Sequence, residues 1–330
     1  MHRTATFYDL KITARGMSRA EGREDDYEAD PKSLREMVGY VDQLFRGGDR
    51  LVKKGQSDKS ARIYLSDMRL EGSRIVFLVN RSDPNAPDAV SSDPDNKSRV
   101  VHEKPPGHGG DYSAHVVINL DPVIGDNYYL CVIETVYGSG LHASSIVDYL
   151  RYVVRHCRKQ FKSDFMIAHS SGAKSPRGKP ILVNWVHFVE LQGHPSDAFE
   201  QDLSSGTLSG IELLSFSEEG AAWDEKGGIV ERKRSVELRP NPDMLGDINA
   251  AIRQVRNKIF KNGQEYKHIR LRFKNEAGEP KDATIASESG KLIDSHKYVR
   301  RHNIYAPMAN TTSFESISSF ILKEIIALME

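Results

Sequence analysis

The spacing of apolar residues predicts mainly strands in the first half of the chain. Apolar and polar residues alternate from residue 3 to 13, which is typical of a strand with one buried face. The apolar runs 61–65 and 74–79 flank Glu71-Gly72-Ser73, and this arrangement predicts a β-hairpin turned at the glycine. The run 128–136 is almost continuously apolar, so it predicts a central strand.

A helical repeat of apolar residues occurs in four longer segments. They are 30–45, 144–162, 244–261 and 314–329, and Asp30 before Pro31 is the predicted N-cap of the first. Strands and helices do not alternate regularly, so nothing in the pattern requires a doubly wound parallel sheet. We therefore predict an α+β fold with mixed, mainly antiparallel sheets and helices packed on them.

The chain has 330 residues, which is more than one compact core usually organises. We therefore predict two domains, or one domain with a large appendage. Segment 170–180 is rich in Gly, Ser and Pro and is the predicted linker. It would separate an N-terminal α+β domain, 1–170, from a C-terminal α+β domain, 180–330. Within the first domain, the polar stretch 81–112 is predicted to be a long loop.

Composition excludes several classes of protein. The chain holds 46 Lys and Arg, 46 Asp and Glu and 38% hydrophobic residues, as an ordinary globular protein does. Two cysteines, Cys131 and Cys157, are too few for a disulfide scaffold or a zinc cluster. The N-terminus lacks the apolar core of a signal peptide, and no run of about 18 apolar residues occurs. We therefore expect a cytoplasmic protein that does not itself span a membrane.

The zero net charge hides a segregation of charge along the chain. Segment 151–190 has eight basic residues and two acidic ones, whereas 191–225 has eight acidic residues and no Lys or Arg. The local field, rather than the net charge, attracts a polyanion. This segregation favours a nucleic-acid partner, which the net charge alone argues against.

The predicted helix 144–162 shows how the basic residues are arranged. Its core stripe, spaced by four, three and four residues, consists of Ile146, Leu150, Val153 and Cys157. The basic residues that begin at Arg151 repeat this spacing one residue later, which is about 100° around the helix axis. The helix is therefore predicted to bury one face and to carry a basic ridge beside it.

Five basic elements are predicted to contact phosphates. Their residues are Arg151, Arg155, Arg158, Lys159 and Lys162 on helix 144–162; Lys174, Arg177 and Lys179 in segment 170–180; Arg232, Lys233 and Arg234; Arg253, Arg256, Lys258 and Lys261 on helix 244–261; and Arg270, Arg272 and Lys274 on the alternating strand 268–274. We predict that they bind double-stranded DNA, with RNA not excluded, and that binding depends strongly on salt. The alternative for each element is an ordinary solvated surface.

Few residues suggest catalysis. The spacing of His102, His108 and His115 matches no standard zinc site. Glu134 lies in a predicted buried strand, where it either pairs with a buried basic group or belongs to a nuclease-like acidic set. We assign no catalytic residue, no metal and no cofactor. A metal-dependent nuclease of a defence system, with Glu134 and the histidines in its site, is the alternative function.

Short stretches in the second half of the chain carry a resemblance. They are 129–134, 186–188, 236–240, Asn275-Glu276-Ala277-Gly278 and Ser289-Gly290-Lys291-Leu292. Over about residues 128–300 the chain resembles the RexA family of phage-exclusion proteins. The resemblance implies a non-enzymatic homodimer that binds double-stranded DNA with little sequence preference. It also implies defence against phage infection together with a separate membrane protein. The N-terminal region and the stretch 81–112 depart from that family.

Two roles are open for the acidic segment 191–225. It could meet a basic stripe of a second subunit, in which case the basic residues serve assembly of a homodimer. It could instead mimic DNA and cover the basic surface in a resting state. The first role predicts an oligomer that dissociates at high salt, and the second predicts that neutralising the segment raises DNA affinity.

Overall fold

The structure is a computed structural model that describes residues 2–57, 60–123, 125, 127–216, 229–261, 265–293, 298–305 and 311–330. These residues form antiparallel sheets and five α-helices, which confirms the predicted α+β fold. Within this described part, every helix is too short or too polar to cross a membrane.

The described chain contains fifteen β-strands and five α-helices. The strands are β1 (His2–Ser18), β2 (Asp25–Ala29), β3 (Arg62–Glu71), β4 (Arg74–Asp83), β5 (Ala89–Asp93), β6 (Ser98–His102), β7 (Gly110–Asn119), β8 (Tyr128–Val136), β9 (Met166–Ala168), β10 (Leu182–Gly193), β11 (Thr207–Phe216), β12 (Lys233–Leu238), β13 (His268–Lys274), β14 (Pro280–Ala286) and β15 (Arg301–Tyr305). The α-helices are α1 (Leu34–Arg46), α2 (Ala143–Gln160), α3 (Asp197–Ser205), α4 (Ile248–Lys261) and α5 (Ser319–Met329).

Tertiary contacts divide the chain into two units. Unit 1 comprises Met1–Leu191 and His302–Glu330, and unit 2 comprises Gln192–Arg301. The predicted linker 170–180 falls within unit 1, where it forms the connection between the paired strands β9 and β10. There the His169 N–H donates to the Ile181 carbonyl (2.8 Å). Gly, Ser and Pro suit a turn as well as a linker, so composition alone does not distinguish the two.

Unit 1 is built on one large sheet. Along its main path the strand order is β3-β4-β7-β8-β1-β10-β9, and β2 and β15 also pair with β1. The long strand β1 pairs with β8 from Arg3↔Val136 to Lys11↔Tyr128, and its last residues pair with β2. β8 lies between β7 and β1, which is the central position predicted for the most apolar run.

Helices cover both faces of the sheet at β8. Helix α5 packs Ile321 and Ile325 onto a cluster that includes Val132. On the opposite face, the hydroxyl of Tyr129 accepts a hydrogen bond from the Leu34 N–H at the start of α1 (3.2 Å), and α1 packs beside α2. Residues an odd number of positions apart on a strand face opposite sides of the sheet, as Tyr129 and Val132 do. Strand β8 is therefore buried on both faces.

Helix α1 begins later than predicted. Its N-cap is Ser33 rather than Asp30, because Ser33 and Glu36 form a capping box. The carbonyl of Asp30 instead accepts a hydrogen bond from the Trp185 indole N–H (3.1 Å). A capping box satisfies two backbone N–H groups at once, which explains why the chain uses Ser33.

The polar stretch 81–112 is only partly a loop. β4 continues into it, β7 begins within it, and between them β5 and β6 form a separate hairpin with register Ala89↔His102 to Asp93↔Ser98. Every residue of these two strands is exposed. The hairpin has no buried face, so no apolar periodicity marks it in the sequence.

Unit 2 contains a four-stranded antiparallel sheet in the order β12-β11-β13-β14. β13 alternates as predicted, since Ile269, Leu271 and Phe273 are buried and its basic residues face the other side. Helices α3 and α4 pack together, and α4, which lies within the predicted helix 244–261, buries Ile248 and Ile252.

Candidate nucleic-acid interface

Helix α2 of unit 1 carries the densest group of predicted phosphate ligands. The predicted core stripe is buried, and it consists of Ile146, Leu150, Val153 and Cys157. The basic side chains beside the stripe are exposed, except that of Arg158, which is half-buried. The helix therefore presents a basic ridge next to its buried face, as the spacing predicts.

Strand β10 lies beside this ridge. Asn184, Val186 and Phe188 form a row along the partly exposed side of the strand, and Phe188 is 41% exposed. Arg151 Nε on α2 donates a hydrogen bond to the Val189 carbonyl of β10 (2.8 Å). This contact fixes the helix against the strand. The Nε of Arg151, a predicted phosphate ligand, is therefore already bonded within the protein.

The ridge, β10 and the end of β1 enclose a groove made of two adjoining clefts, of ≈ 210 and ≈ 720 Å³. Both clefts are lined by Arg155, Arg158, Val186 and Phe188. The cations of the larger cleft are Arg19, Arg155, Arg158, Lys159 and Lys162. We call these two clefts the basic groove. Among the described residues that line them, Glu190 of the smaller cleft is the single carboxylate.

The five cations of the larger cleft have no carboxylate partner within the described part of the chain. The ion pairs of α2 involve Asp148 and His156, elsewhere on the helix. Burial and, after it, the neighbouring Arg155 guanidinium lower the pKa of Arg158. Neighbouring cations repel one another, and an anionic ligand would relieve this repulsion.

Three further predicted ligands, Lys174, Arg177 and Lys179, lie in the turn between β9 and β10. All three are exposed, and the Ser175 N–H donates to the Lys179 carbonyl (2.7 Å) to close the turn. The turn leads directly into β10, whose Asn184 lines the larger cleft. The predicted cations of unit 1 therefore lie on α2, at Lys162 just after it, and on the segment that leads into the groove wall.

In unit 2, Lys233 of β12 and Arg270 and Arg272 of β13 are paired with carboxylates on other strands of the same sheet. Glu212 of β11 contacts Arg270 (3.3 Å) and Arg272 (3.1 Å) of β13. Glu212 also lies 3.7 Å from Lys233, and Glu237 contacts Arg272 at 3.3 Å. We call these five residues the Glu–Arg ladder. The register Glu212↔Arg270 places opposite charges directly across two strands, which stabilises the pair.

The remaining predicted ligands of unit 2 are spread over several elements. Hydrogen bonds from Arg234 to Glu231 (3.1 Å) and Glu265 (2.5 Å) raise the pKa of Arg234. The predicted ligands that are exposed and have no ion pair in the described chain are Arg232, Arg253, Lys258, Lys261 and Lys274. Arg253 and Arg256 line a separate cavity of unit 2.

Glu134, the carboxylate considered for a nuclease, forms a buried ion pair. Its Oε1 accepts a hydrogen bond from Arg3 Nη1 (2.7 Å), and its Oε2 lies 2.8 Å from His115 Nδ1. His115 Nε2 accepts the Ser318 N–H (3.1 Å), so the neutral ring carries its proton on Nδ1 and donates it to Glu134. All three side chains are fully buried. Glu134 thus pairs with a buried basic group, which is the first of the two roles considered for it.

The histidines and cysteines are dispersed in the described chain. His102 is exposed and contacts Ser91, while His115 is in the core. No three His, Cys, Asp or Glu side chains of the described residues are placed to share a metal ion. Cys131 and Cys157 are buried, and burial raises the pKa of both thiols, that of Cys157 to about 12.

The acidic segment 191–225 is described only as far as residue 216. Four carboxylates invoked for assembly or DNA mimicry lie outside the described residues, namely Glu218, Glu219, Asp224 and Glu225. Among the described ones, Asp202 accepts a hydrogen bond from the Tyr298 hydroxyl (2.9 Å), and Glu212 belongs to the Glu–Arg ladder. These two carboxylates therefore form hydrogen bonds and ion pairs with residues of unit 2, to which they belong.

Two residues of the basic groove are missed by the sequence prediction. Arg19 follows β1, far in the sequence from every other cation of the groove, and Phe188 is one apolar residue of a strand. Neither belongs to a basic run or to a helical repeat, which are the signals that marked α2. The packing of three elements brings both residues to the helix.

Comparison of the chain with protein-family models finds no match, and comparison with curated proteins finds none. The function is therefore inferred from the arrangement of charge. In unit 1, the basic groove brings several predicted phosphate ligands together, and its larger cleft has no carboxylate among the described residues that line it.

Proposed function

We propose that the protein binds double-stranded DNA through the basic groove of unit 1. The proposal is carried by one observation, that five cations line the larger cleft with no acidic partner among the described residues. Phosphate oxygens supply the missing negative charge, and they do so irrespective of base sequence. Binding is therefore non-enzymatic, strongly salt-dependent and weakly sequence-selective.

The dimensions of the ridge on α2 suit a nucleic-acid backbone. From Arg151 to Lys159 the ridge extends about 12 Å along α2, at the rise of a helix, and Lys162 follows just after the helix ends. Over this length a duplex presents on the order of seven phosphate charges. The ridge therefore contacts several phosphates at once, and its cations do not need to reach the base edges.

Titration of labelled duplexes of unrelated sequence, followed by fluorescence anisotropy, tests the proposal. If five phosphates are neutralised, affinity should fall roughly 500-fold between 50 and 200 mM salt. The triple variant Arg155→Glu, Arg158→Glu, Lys159→Glu should lose binding at the lower salt concentration. It should unfold at the same temperature as the wild type, because these side chains lie off the buried stripe.

A matched control separates the groove from net charge. The variant Lys258→Glu, Lys261→Glu, Lys274→Glu changes the net charge equally, at three exposed cations of unit 2. It should bind DNA as the wild type does. Equal loss in both variants would show that net charge is responsible, and a wild type that does not bind at 50 mM salt would refute the proposal. Single-stranded DNA and duplex RNA competitors determine which nucleic acid is preferred.

We further propose that DNA binding serves phage exclusion by a homodimer. This proposal is supported by the sequence resemblance over residues 128–300 and by the five cations that line the larger cleft of the basic groove. Bacteria that express the wild-type chain should show a reduced plating efficiency of infecting phage. Cells with the groove triple variant should lose this protection, and equal protection by both chains would contradict the link. Light scattering at low and high salt measures the oligomeric state.

A further inference from the structure

The smaller cleft of the basic groove, between α2 and β10, is suited to a planar ring. Its volume is ≈ 210 Å³, which is below that of most drug-sized ligand sites and suits one small ring system. Val154 of α2 and Val186 and Phe188 of β10 supply the accessible part of its apolar lining. All three residues are at least partly exposed, and Phe188 is 41% exposed. An apolar group that enters the cleft therefore finds surface that it can contact.

The ring of Phe188 has no aromatic partner within the described chain. Nearby, the rings of Trp185 and Phe165 both pack against that of His187, at centroid distances of 5.0 and 5.6 Å. Residues two positions apart share a face of a strand, so Phe188 lies beside Val186, on the face of β10 opposite to His187. An exposed phenyl ring without a partner is a platform on which a second planar ring can stack.

The two clefts of the groove share Arg155 and Arg158 but differ in their other charges. The larger cleft adds three more cations, and no carboxylate is among the described residues that line it. The smaller cleft adds Arg151, whose Nε is bonded to a backbone carbonyl, and Glu190, which forms no ion pair within the described chain. A carboxylate repels phosphate and accepts hydrogen bonds from the amino groups of bases. Phosphates are therefore favoured in the larger cleft and a base in the smaller one.

We infer that the smaller cleft binds one unpaired base of the DNA that occupies the groove. The base stacks on Phe188, and its sugar–phosphate chain continues onto the cations of the larger cleft. A base that is already unpaired binds without the cost of extrusion, whereas a paired base must first leave the duplex. The inference rests on the proposed DNA binding and adds a preferred substrate, which is DNA that contains an unpaired base.

Anisotropy titrations of the full chain with three labelled duplexes of one sequence test the inference. The first duplex is fully paired, the second has one bulged cytosine, and the third has an abasic residue in place of that cytosine. The wild type should bind the cytosine bulge about tenfold more tightly than the paired duplex, which is within the range that base–aromatic stacking supplies. The abasic bulge has no base to stack and should bind like the paired duplex. Equal affinity for the two bulges would show that a flexible backbone is recognised and would overturn the inference.

Two substitutions locate the base. Phe188→Ala removes the stacking platform, so it should reduce the preference for the cytosine bulge over the paired duplex to about twofold or less. Phe260→Ala is the matched control, because Phe260 is 45% exposed and lies on α4 of unit 2, and it should keep the full preference. The ratio of two affinities does not depend on the active fraction of a preparation. Equal ratios in the two variants would place the base elsewhere and overturn the inference.

The same titrations separate this inference from the proposed function. A wild type that binds all three duplexes with equal affinity would refute the base site and leave DNA binding by the groove in place. A wild type that binds none of them at 50 mM salt would refute both. The groove triple variant should lose affinity for all three duplexes, because it removes the phosphate contacts that they share.

Discussion

The basic groove and the Glu–Arg ladder contain the same kinds of side chain and differ in what surrounds them. In the groove, Arg158 has Arg155 as its charged neighbour, whereas in the ladder Arg270 and Arg272 share Glu212. A cation that already has a carboxylate partner gains less from a phosphate, because the existing pair must first be broken. Exposure of a cation is therefore not sufficient for phosphate binding. Whether the cation already has a carboxylate partner also determines how well it can bind a phosphate.

The buried sides of the two regions differ as well. β10, the wall of the groove, buries His187, whose Nε2 accepts the Lys32 N–H (3.0 Å). On the described strands of the sheet in unit 2 the histidine is His268, which is only partly buried. Burial lowers the pKa of His187 from 6.5 to about 4, because the charged ring would lose its hydration. We therefore expect the groove region to be the more sensitive to acid.

The largest expected effect is a loss of stability of unit 1 on acidification. His187 takes up a proton below pH 6.5 in the unfolded chain but only near pH 4 in the folded chain. Above pH 6.5 the ring is neutral in both states, and the free energy of unfolding does not depend on its protonation. As the pH drops to 4, the unfolded chain takes up the proton first, so the free energy of unfolding falls by roughly 3 kcal/mol. The fluorescence of Trp185, whose ring is 5.0 Å from that of His187, reports unfolding in a Trp223→Phe background.

His187→Gln is the control for this prediction. Glutamine keeps an acceptor for the Lys32 N–H and does not titrate between pH 4 and 6.5. Urea unfolding of this variant should show a smaller dependence on pH over that interval. The same dependence in both chains would mean that other groups are responsible for the acid sensitivity.

The second prediction compares the two regions by neutralising two arginines in each. Arg155→Gln with Arg158→Gln should reduce DNA affinity about 20-fold at low salt, and the slope of affinity against salt should decrease by about 2. Arg270→Gln with Arg272→Gln should change affinity less than about threefold, because these side chains already have carboxylate partners. Equal losses would remove the distinction between groove and ladder.

The smallest effect is expected when the ladder loses its shared carboxylate. Glu212→Gln removes the partner of Arg270, Arg272 and Lys233, and it should lower the free energy of unfolding by about 1 kcal/mol. DNA affinity should remain within about twofold of the wild type. A tenfold increase would show that the ladder is a phosphate-binding surface that Glu212 blocks.

Local patterns predicted much of the fold. The alternation in β13, the hairpin of β3 and β4 and the central position of β8 are all present in the structure. The hairpin of β5 and β6 was missed because it has no buried face. The start of α1 was misplaced because Asp30 and Ser33 are both good caps, and only the reciprocal bond of Glu36 decides between them.

The groove was predictable only in part, for a physical reason. A helical repeat reports the side of a helix on which a residue lies, so the ridge on α2 was visible in the sequence. Arg19 and Phe188 join that ridge through packing of segments far apart in the chain, and no local pattern encodes such packing. The pairing of Glu134 with Arg3 also spans 131 positions, although a buried carboxylate made some basic partner necessary.

The sequence by itself determined which residues are charged, which faces of helices and strands are buried, and that charge is segregated along the chain. Which cations lie next to one another, and which lie next to a carboxylate, depends on the tertiary structure. This division has a physical cause, because burial follows from the period of each element, whereas electrostatic partners depend on strand register and on the packing of distant elements. Arg155 and Arg270 look alike in the sequence, and only their neighbours in the fold distinguish a candidate phosphate ligand from a member of an internal ion pair.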